Sequence, residues 1–413
     1  DMTHLFFTDP KTIQRMHDGP LRAYIDTYAA LLQSQGYTGQ SARNQIRLVA
    51  DLSRWLGKQG LAAKDLNPQR IHSYLSYRKR LLRPHRGDAS ALVKLLGLLG
   101  QTDVINQPTP PTTVSPHQRI EENFRRYLSE ERGLSSATLV NYLPSVRQFL
   151  VERFGSGRIH LAHLHAADIT GFVQRHAHDL SPGRAKLMVS ALRAFLRHLR
   201  YRGDIATDLA ACVPCVPNWS FSTLPKFLGP GQVQRILEHC DQRTPLGKRD
   251  YAILLLLARL GLRAGEVVGL TLDDIDWEQS RITLRSKGGR WAQLPLPAEV
   301  GKALAHYLKQ GRPRCASRSV LNRQRAPRVG FANSIAICSL VERALVRAEI
   351  DSPRKGAHLF RHTLATEMLR QGASLSEIGQ LLRHQHPNTT TIYAKVDLPA
   401  LRTLALPWPG GGR

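Results

Sequence analysis

His358-Leu359-Phe360-Arg361-His362 decides the reading of this 413-residue chain. A histidine and an arginine at i and i+3 face the same way from one helix or its first turn. Four other pieces in the last third of the chain carry related chemistry: Gly261-Leu262-Arg263-Ala264-Gly265-Glu266, Ser286-Lys287-Gly288-Gly289-Arg290, Leu381-Leu382-Arg383-His384 and Thr391-Ile392-Tyr393-Ala394-Lys395. Each alone is weak, because a lone Arg, Lys, His or Tyr is more often a surface or packing residue. In order, they supply guanidiniums, an ammonium, histidines and one tyrosine.

Bulk charge points to an anionic partner. Lys and Arg number 58 against 32 Asp and Glu, for a formal charge of +26. A duplex attracts such a surface by phosphate neutralisation and counterion release. A solvated basic face or an anionic membrane would be the plainer explanations. No apolar run reaches the roughly 18–20 residues of a spanning helix. The opening Asp1-Met2-Thr3-His4-Leu5-Phe6-Phe7 lacks the regions of a signal peptide. The expected location is cytoplasmic and nucleoid-associated, with no membrane partner.

Five cysteines do not make a secreted disulfide framework. Cys212-Val213-Pro214-Cys215 and His239-Cys240 offer zinc-type ligands, but the second pair lacks the usual spacing. Ordinary thiols near a linker are the preferred reading, and no metal is assigned.

Proline marks the boundaries. Gln101 to Gln118 is rich in Pro, Thr, Gln and Ser and reads as an extended linker. A second break lies at Val213 to Gly231. The expected parts are a helical domain at 1–100, a linker at 101–116 and a second helical domain at 117–212. A linker at 213–230, a larger domain at 231–395 and a tail at 396–413 follow. The two helical domains look like copies. Gly36-Tyr37-Thr38-x-x-Ser41-x-x-Asn44 matches Gly133-Leu134-Ser135-x-x-Thr138-x-x-Asn141, and Ile46, Val49 and Leu52 align with Leu143, Val146 and Phe149. Three-and-four spacing predicts helices at 21–35, 39–57, 68–81 and 88–100, then at 117–132, 136–154, 166–178 and 182–202. Thr38 and Ser135 stand where N-caps would.

From Gly231 the pattern is mixed. Asp250 to Leu260 reads as a buried helix, and Arg281-Ile282-Thr283-Leu284 and Gln293-Leu294-Pro295-Leu296 as a hairpin about a Gly-Gly turn. Helices are expected near 298–309, 334–348, 360–371 and 374–383, the last opened by the Ser374-x-x-Glu377 capping box. The fold class is therefore multidomain: two all-α, four-helix domains, then a mainly helical α+β domain with a small antiparallel sheet.

In this order and spacing, the five pieces resemble the catalytic domain of the tyrosine recombinases, which include phage integrases and bacterial Xer proteins. The second helical copy is similar to that family's core-binding domain. The resemblance covers about 115–395 and reaches 1–100 only through the repeat. It implies a site-specific recombinase that cuts and rejoins DNA through a 3′-phosphotyrosyl link, without cofactor or metal. Arg263 and Arg361 would neutralise the phosphate, with His358 facing the same site as Arg361; Lys287 would act as general acid, His384 would bond the phosphate, and Tyr393 would be the nucleophile. Glu266 would brace Arg263 and a histidine, with His362 in support. His386 is a weaker candidate. Arg383 departs from the family's usual glycine. DNA contacts are expected from Arg184, Lys186, Arg193, Arg197, His198, Arg200 and Arg202, and from Arg78, Lys79 and Arg80 in the first copy.

The expected partners are double-stranded DNA at specific recombination sites and copies of this chain in a tetramer on synapsed DNA. The added first domain and the tail after Tyr393 look like mobile-element recombinases, some encoded in sets of three, so partner recombinases stay open. Two alternatives also stay open. One is an accessory DNA-binding subunit that no longer cuts. The other is a type IB-like topoisomerase.

Overall fold

The structure is a computed structural model that describes residues 2–83, 85, 87–102, 104–105, 115–155, 157–216, 225–285 and 291–396. The chain groups into two units, residues 1–107 together with 223–413, and residues 108–222. The apolar cores are more finely divided: one runs from Phe7 to Ile105, one lies within the middle segment, and a large one with a small satellite lies between Leu228 and Tyr393.

In the first unit, helices Arg22–Ser34, Gly39–Lys58, Pro68–Leu81 and Asp88–Gln101 fall within a residue of the expected bounds. Their starts follow from local chemistry. The Ser41 N–H donates to Thr38 Oγ1 at 3.4 Å, and the Arg70 N–H donates to Asn67 Oδ1 at 2.9 Å ahead of a proline-initiated helix. Ile46, Val49, Leu52 and Leu56 form the buried stripe, against Ile25, Tyr28 and Leu32. A short extra helix, Pro10–Met16, is capped by Asp9. Its single turn pair is too short for periodicity to reveal.

The same unit carries the last third. Helix Pro245–Leu260 starts at Thr244, whose hydroxyl accepts the Gly247 N–H at 3.0 Å. Its residues Ile253 to Leu257 are all buried. Gly261 ends it in the left-handed region (φ 56°). The sheet has three antiparallel strands, β1 (Ile275–Asp276), β2 (Arg281–Arg285) and β3 (Trp291–Pro295), in the order β1-β2-β3. Ile282 pairs with Leu294 and Leu284 with Ala292, which sends Ile282 and Leu284 into the core and leaves Arg281 and Arg285 exposed. The turn expected to carry Lys287 lies outside the described residues. Helices Ala298–Gln310, Ile335–Arg347, His358–Arg370 and Leu375–Leu381 complete this part.

The first helical part meets the last third where the Arg328 N–H donates to the Gln35 carbonyl at 2.9 Å. Gly36, at φ 73°, lies beneath the Arg328 side chain, and a Cβ there would come within 2.4 Å of Arg328 Cδ. The first helical domain groups in one unit with the last third; the Pro-rich linker expected at 101–116 lies largely outside the described residues.

The second unit contains helices Pro116–Arg126, Ser136–Phe154, Ala166–Ala177 and Pro182–Tyr201. The helix expected to run unbroken over 117–132 widens at Tyr127–Glu131 into a π-turn. Ser135 makes no side-chain bond to the backbone; its hydroxyl meets that of Thr138 at 3.1 Å. Phe124 and Phe195, and Phe149 and Phe172, pack edge to face at 5.2 and 5.3 Å.

His198 does not belong to the basic stripe. It is 4% exposed and stacks on Tyr127 at 4.5 Å. Burial first, then the Arg202 charge, pulls its pKa from 6.5 down to about 4. A neutral histidine of this kind contributes its full stability above pH 6.5 and loses it as the pH falls toward 4. The DNA-free protein should therefore melt lower at pH 5 than at pH 7. His198→Phe, which keeps the stack without titrating, should show a shallower decline in Tm over that range.

Candidate active site

Arg263 is the N-cap of a short helix, Ala264–Gly269. Glu266 closes that turn as a capping box, its Oε2 accepting the Arg263 N–H at 2.8 Å and its Oε1 the Arg263 Nη1 at 2.8 Å. The second guanidinium on this carboxylate is that of Arg383, whose Nη2 donates to Oε2 at 2.9 Å. Where the expectation gave Glu266 a histidine to brace, an arginine fills the place.

Helix His358–Arg370 supplies three site residues from its first two turns. Arg361 is 3% exposed and fastens two distant pieces of backbone, donating through Nη1 to the Gly261 carbonyl at 2.6 Å and through Nη2 to the Leu382 carbonyl. His362 Nδ1 lies 3.0 Å from the Tyr393 hydroxyl. In the tautomer that leaves Nδ1 unprotonated, the phenol donates to it. His358 lies one turn from His362, with ring centroids 6.4 Å apart.

Helix Leu375–Leu381 ends in a Schellman turn. The Arg383 N–H donates to the Gln380 carbonyl at 3.0 Å and the His384 N–H to the Gly379 carbonyl at 2.9 Å. That geometry requires a left-handed residue at 383, where φ is 55°. Glycine is usual there; any other residue costs about 1–2 kcal/mol. The next residue, His384, bonds Thr390 Oγ1 at 2.7 Å and lies parallel to Tyr393, with ring centroids 6.4 Å apart.

The electrostatics are those of a crowded cationic site. Burial pushes Tyr393 up to about 12, opposed by the Arg361 charge. Burial, then neighbouring charge, takes His362 and His384 down to about 4: His358 and Arg354 act on the first, Arg361 and Arg263 on the second. His358 is lowered by burial and by Arg361, Arg263 and Arg354. Arg361 is drawn down to about 9 by burial, Arg263 and Arg383, and stays cationic at neutral pH. Burial alone would raise Glu266, but the Arg263 N–H, the Arg383 charge and the Arg263 guanidinium outweigh it and hold the carboxyl low. The site therefore keeps a protonated phenol, neutral imidazoles and three guanidiniums against one carboxylate, a net positive charge.

Arg263, Glu266, His358, Arg361, His362, His384 and Tyr393 lie together in the structure. Lys287 lies outside the described residues; the hairpin that leads to it is anchored by Arg285 over the Trp291 ring at 4.5 Å. His386 is exposed. Among the expected DNA contacts, Arg184, Lys186, Arg197, Arg200, Arg202, Lys79 and Arg80 are exposed. Arg200 pairs with Asp208 and Arg202 with Asp204. Two others are held inward. Arg78 donates to Asp51 at 2.8 Å, and Arg193 donates to the Val213 carbonyl at 2.8 Å and to Cys215 Sγ at 3.2 Å. The partners, a carboxylate for Arg78 and a carbonyl and a thiol for Arg193, are remote in sequence and gave no warning of either. Sequence reasoning missed Thr390, and it read Arg383 only as a departure. The positive-φ turn that both serve leaves no periodic signal.

The comparisons with known proteins agree with this geometry. The sequence profile of the Phage integrase family matches residues 226–398, and that of the phage integrase N-terminal SAM-like domain matches 122–203. The chain is 50% identical over 402 residues to the integrase/recombinase y4rA of Sinorhizobium fredii, spanning 96% of this chain and 97% of that one. It is 33% identical over 298 residues to tyrosine recombinase XerC of Myxococcus xanthus, covering 69% of this chain and 94% of the relative. The fold is similar to that of XerH recombinase bound to palindromic difH substrate, with a TM-score of 0.57 at 18% identity over 82% of this chain and 94% of that one. It is also similar to that of a lambda integrase dimer bound to a COC′ core site, with a TM-score of 0.51 at 18% identity over 67% of this chain and 94% of that one. The chain belongs to the phage integrase family of tyrosine recombinases. It is a site-specific DNA recombinase, an enzyme that cleaves and rejoins DNA strands.

Gly261 joins the first arginine motif to the buried helix and gives its carbonyl to Arg361. A Cβ there would meet Leu382 Cδ2 at 2.7 Å and Leu364 Cδ2 at 3.1 Å, in a left-handed residue. Gly261→Ala should lower unfolding free energy by about 1–3 kcal/mol in a denaturant titration. It should slow cleavage by more than that loss of folded protein explains, because Arg361 and Leu382 both shift.

Proposed function

We propose that Tyr393 is the nucleophile and that the residues around it perform a metal-independent transesterification. The Tyr393 oxygen attacks phosphorus, the bond to the 5′ oxygen breaks, and the enzyme keeps the 3′ phosphate as a phosphotyrosyl ester. Lys287 gives its proton to the departing 5′ oxygen, and His362 takes the phenolic proton. Arg263 and Arg361 offer planar forks to the non-bridging oxygens, with His358 and His384 adding hydrogen bonds. Such preorganised donors each contribute about two to three orders of magnitude in rate. A phosphodiester entering the site adds negative charge beside depressed histidines, which raises their proton affinity and favours transfer from the phenol. The observation that carries this reading is the Tyr393 hydroxyl held 3.0 Å from a neutral histidine, beside a buried guanidinium.

The finer reading concerns partners and DNA. The exposed Arg184, Lys186 and Arg197 on one helix, with Lys79 and Arg80 in the first domain, would follow phosphates along the duplex. Recombination needs two sites cut in concert, which calls for copies of this chain assembled on synapsed DNA as a tetramer.

A nicked duplex carrying the recombination site, identified by sequencing the junctions the protein makes, tests the nucleophile. Wild type should trap a denaturation-resistant protein–DNA band with or without excess chelator. Tyr393→Phe should bind the duplex with an unchanged Kd and form no band. A band from the Phe variant would move the nucleophile elsewhere.

Lys287→Ala should slow cleavage of an ordinary phosphodiester and leave a 5′-bridging phosphorothiolate at the wild-type rate, since sulfur leaves without protonation. Equal slowing of both would reduce Lys287 to a DNA contact.

A further inference from the structure

We infer that Arg383 is a positioning residue of this recombinase, locking the turn that presents His384 onto the arm that presents Arg263 through the shared carboxylate of Glu266. The inference rests on the site assignment above. Three observations carry it. First, Arg383 holds the left-handed position of a Schellman turn, where its side chain is a liability unless something repays the strain. Second, the side chain is only 8% exposed, so it is not a free surface cation. Third, its guanidinium is divided between its own turn and a remote one. Nη1 donates to the Leu381 carbonyl at 3.0 Å, and Nη2 to Glu266 Oε2 at 2.9 Å.

Glu266 is the hub of this arrangement. Its side chain is 4% exposed, and both of its oxygens are occupied, one by Arg263 Nη1 and the other by the Arg263 N–H and Arg383. One arginine therefore sets the N-cap turn of Arg263, while the other ties that turn to the residue before His384. Arg361 spans the same gap independently, from the Gly261 carbonyl to the Leu382 carbonyl. The turn at 382–384 is thus stapled to the first arginine motif at two adjacent residues. A glycine at 383 would satisfy the backbone but leave only the Arg361 staple, and the partly exposed Arg263 guanidinium would lose the neighbour that holds its carboxylate in place.

Arg383→Gly tests this, because glycine relieves the backbone. The variant should fold with a Tm no lower than wild type and bind the site duplex within about threefold. It should cleave a nicked duplex roughly ten- to a hundredfold more slowly, the scale of a small misplacement of reacting groups. Arg383→Gly and Glu266→Gln combined should lose less than the product of the two single losses, since both break the same link, although Glu266→Gln alone also loosens Arg263. The pH–rate profile gives a readout that a purely structural role would not move. Glu266 is faced by Arg263 and Arg383, and its charge is also felt by His358 and Arg361. Removing the Arg383 charge raises the carboxyl pKa, so the acid limb of cleavage should move to higher pH in Arg383→Gly and not in the Glu266→Gln background. A wild-type cleavage rate, an unmoved acid limb, or losses that multiply in the double variant would each overturn the inference; multiplied losses would place the guanidinium on the DNA itself. Should Arg383→Gly melt early, Arg383→Asn, which also tolerates the left-handed turn, serves in its place. Tyr393→Phe run in parallel separates the two readings. An adduct from the Phe variant sinks the site assignment, whereas an inert Phe variant beside a fully active Arg383→Gly sinks the positioning role alone.

Discussion

One buried carboxylate in a strongly basic protein organises the site. Glu266 lies among three guanidiniums and close to histidines, in a chain with 26 more basic than acidic charges. Burial works against its ionisation, and the Arg263 N–H, the Arg383 charge and the Arg263 guanidinium together keep it charged. Taking an ion out of water costs several kcal/mol unless its partners are well placed. Here the partners come from two remote stretches, so the charge is stable only when those stretches are correctly assembled. The carboxylate also spares the guanidiniums part of their mutual repulsion before any DNA phosphate is present to do so.

The rest of the catalytic part serves that assembly. The unbroken apolar run at Ile253 to Leu257 fixes the helix that ends at Gly261, and the left-handed glycine swings Arg263 out of the core. The helix beginning at His358 lies against it and sends Arg361 back to the Gly261 carbonyl. The small sheet pairs β2 with β3 in the register that sends Ile282 and Leu284 into the core.

The sequence was legible wherever repetition carried the signal. Four helices of the first domain and the strand pairing of β2 with β3 follow from apolar spacing, and the site residues follow from an ordered set of motifs. It was silent where the determinant is a single bond between distant residues. Nothing near Arg78 or Arg193 announces that Asp51 or the Val213 carbonyl will hold them inward. His198 looked basic because it sits among arginines, yet it occupies the apolar phase of its own helix and stacks on Tyr127. Arg383 was visible only as a break in pattern, since its left-handed backbone and its bond to Glu266 are both tertiary facts. The π-turn at Tyr127–Glu131 likewise lies within a helix-like pattern that predicts no widening.

The bond between Arg328 and Gln35 changes what counts as the minimal enzyme. XerC of Myxococcus xanthus aligns with only 69% of this chain, which invites the view that the first hundred residues are an appendage that could be trimmed away. Yet Gly36, at φ 73°, lies under an arginine of the last third, and a methyl group there would push the Arg328 side chain aside. Cutting at the linker would strip a fitted cover from that loop and leave the Arg328 N–H without its acceptor. A shortened protein would thus be a different molecule at this edge, and comparing it with compact relatives would measure the repair of an exposed seam as well as the loss of a domain.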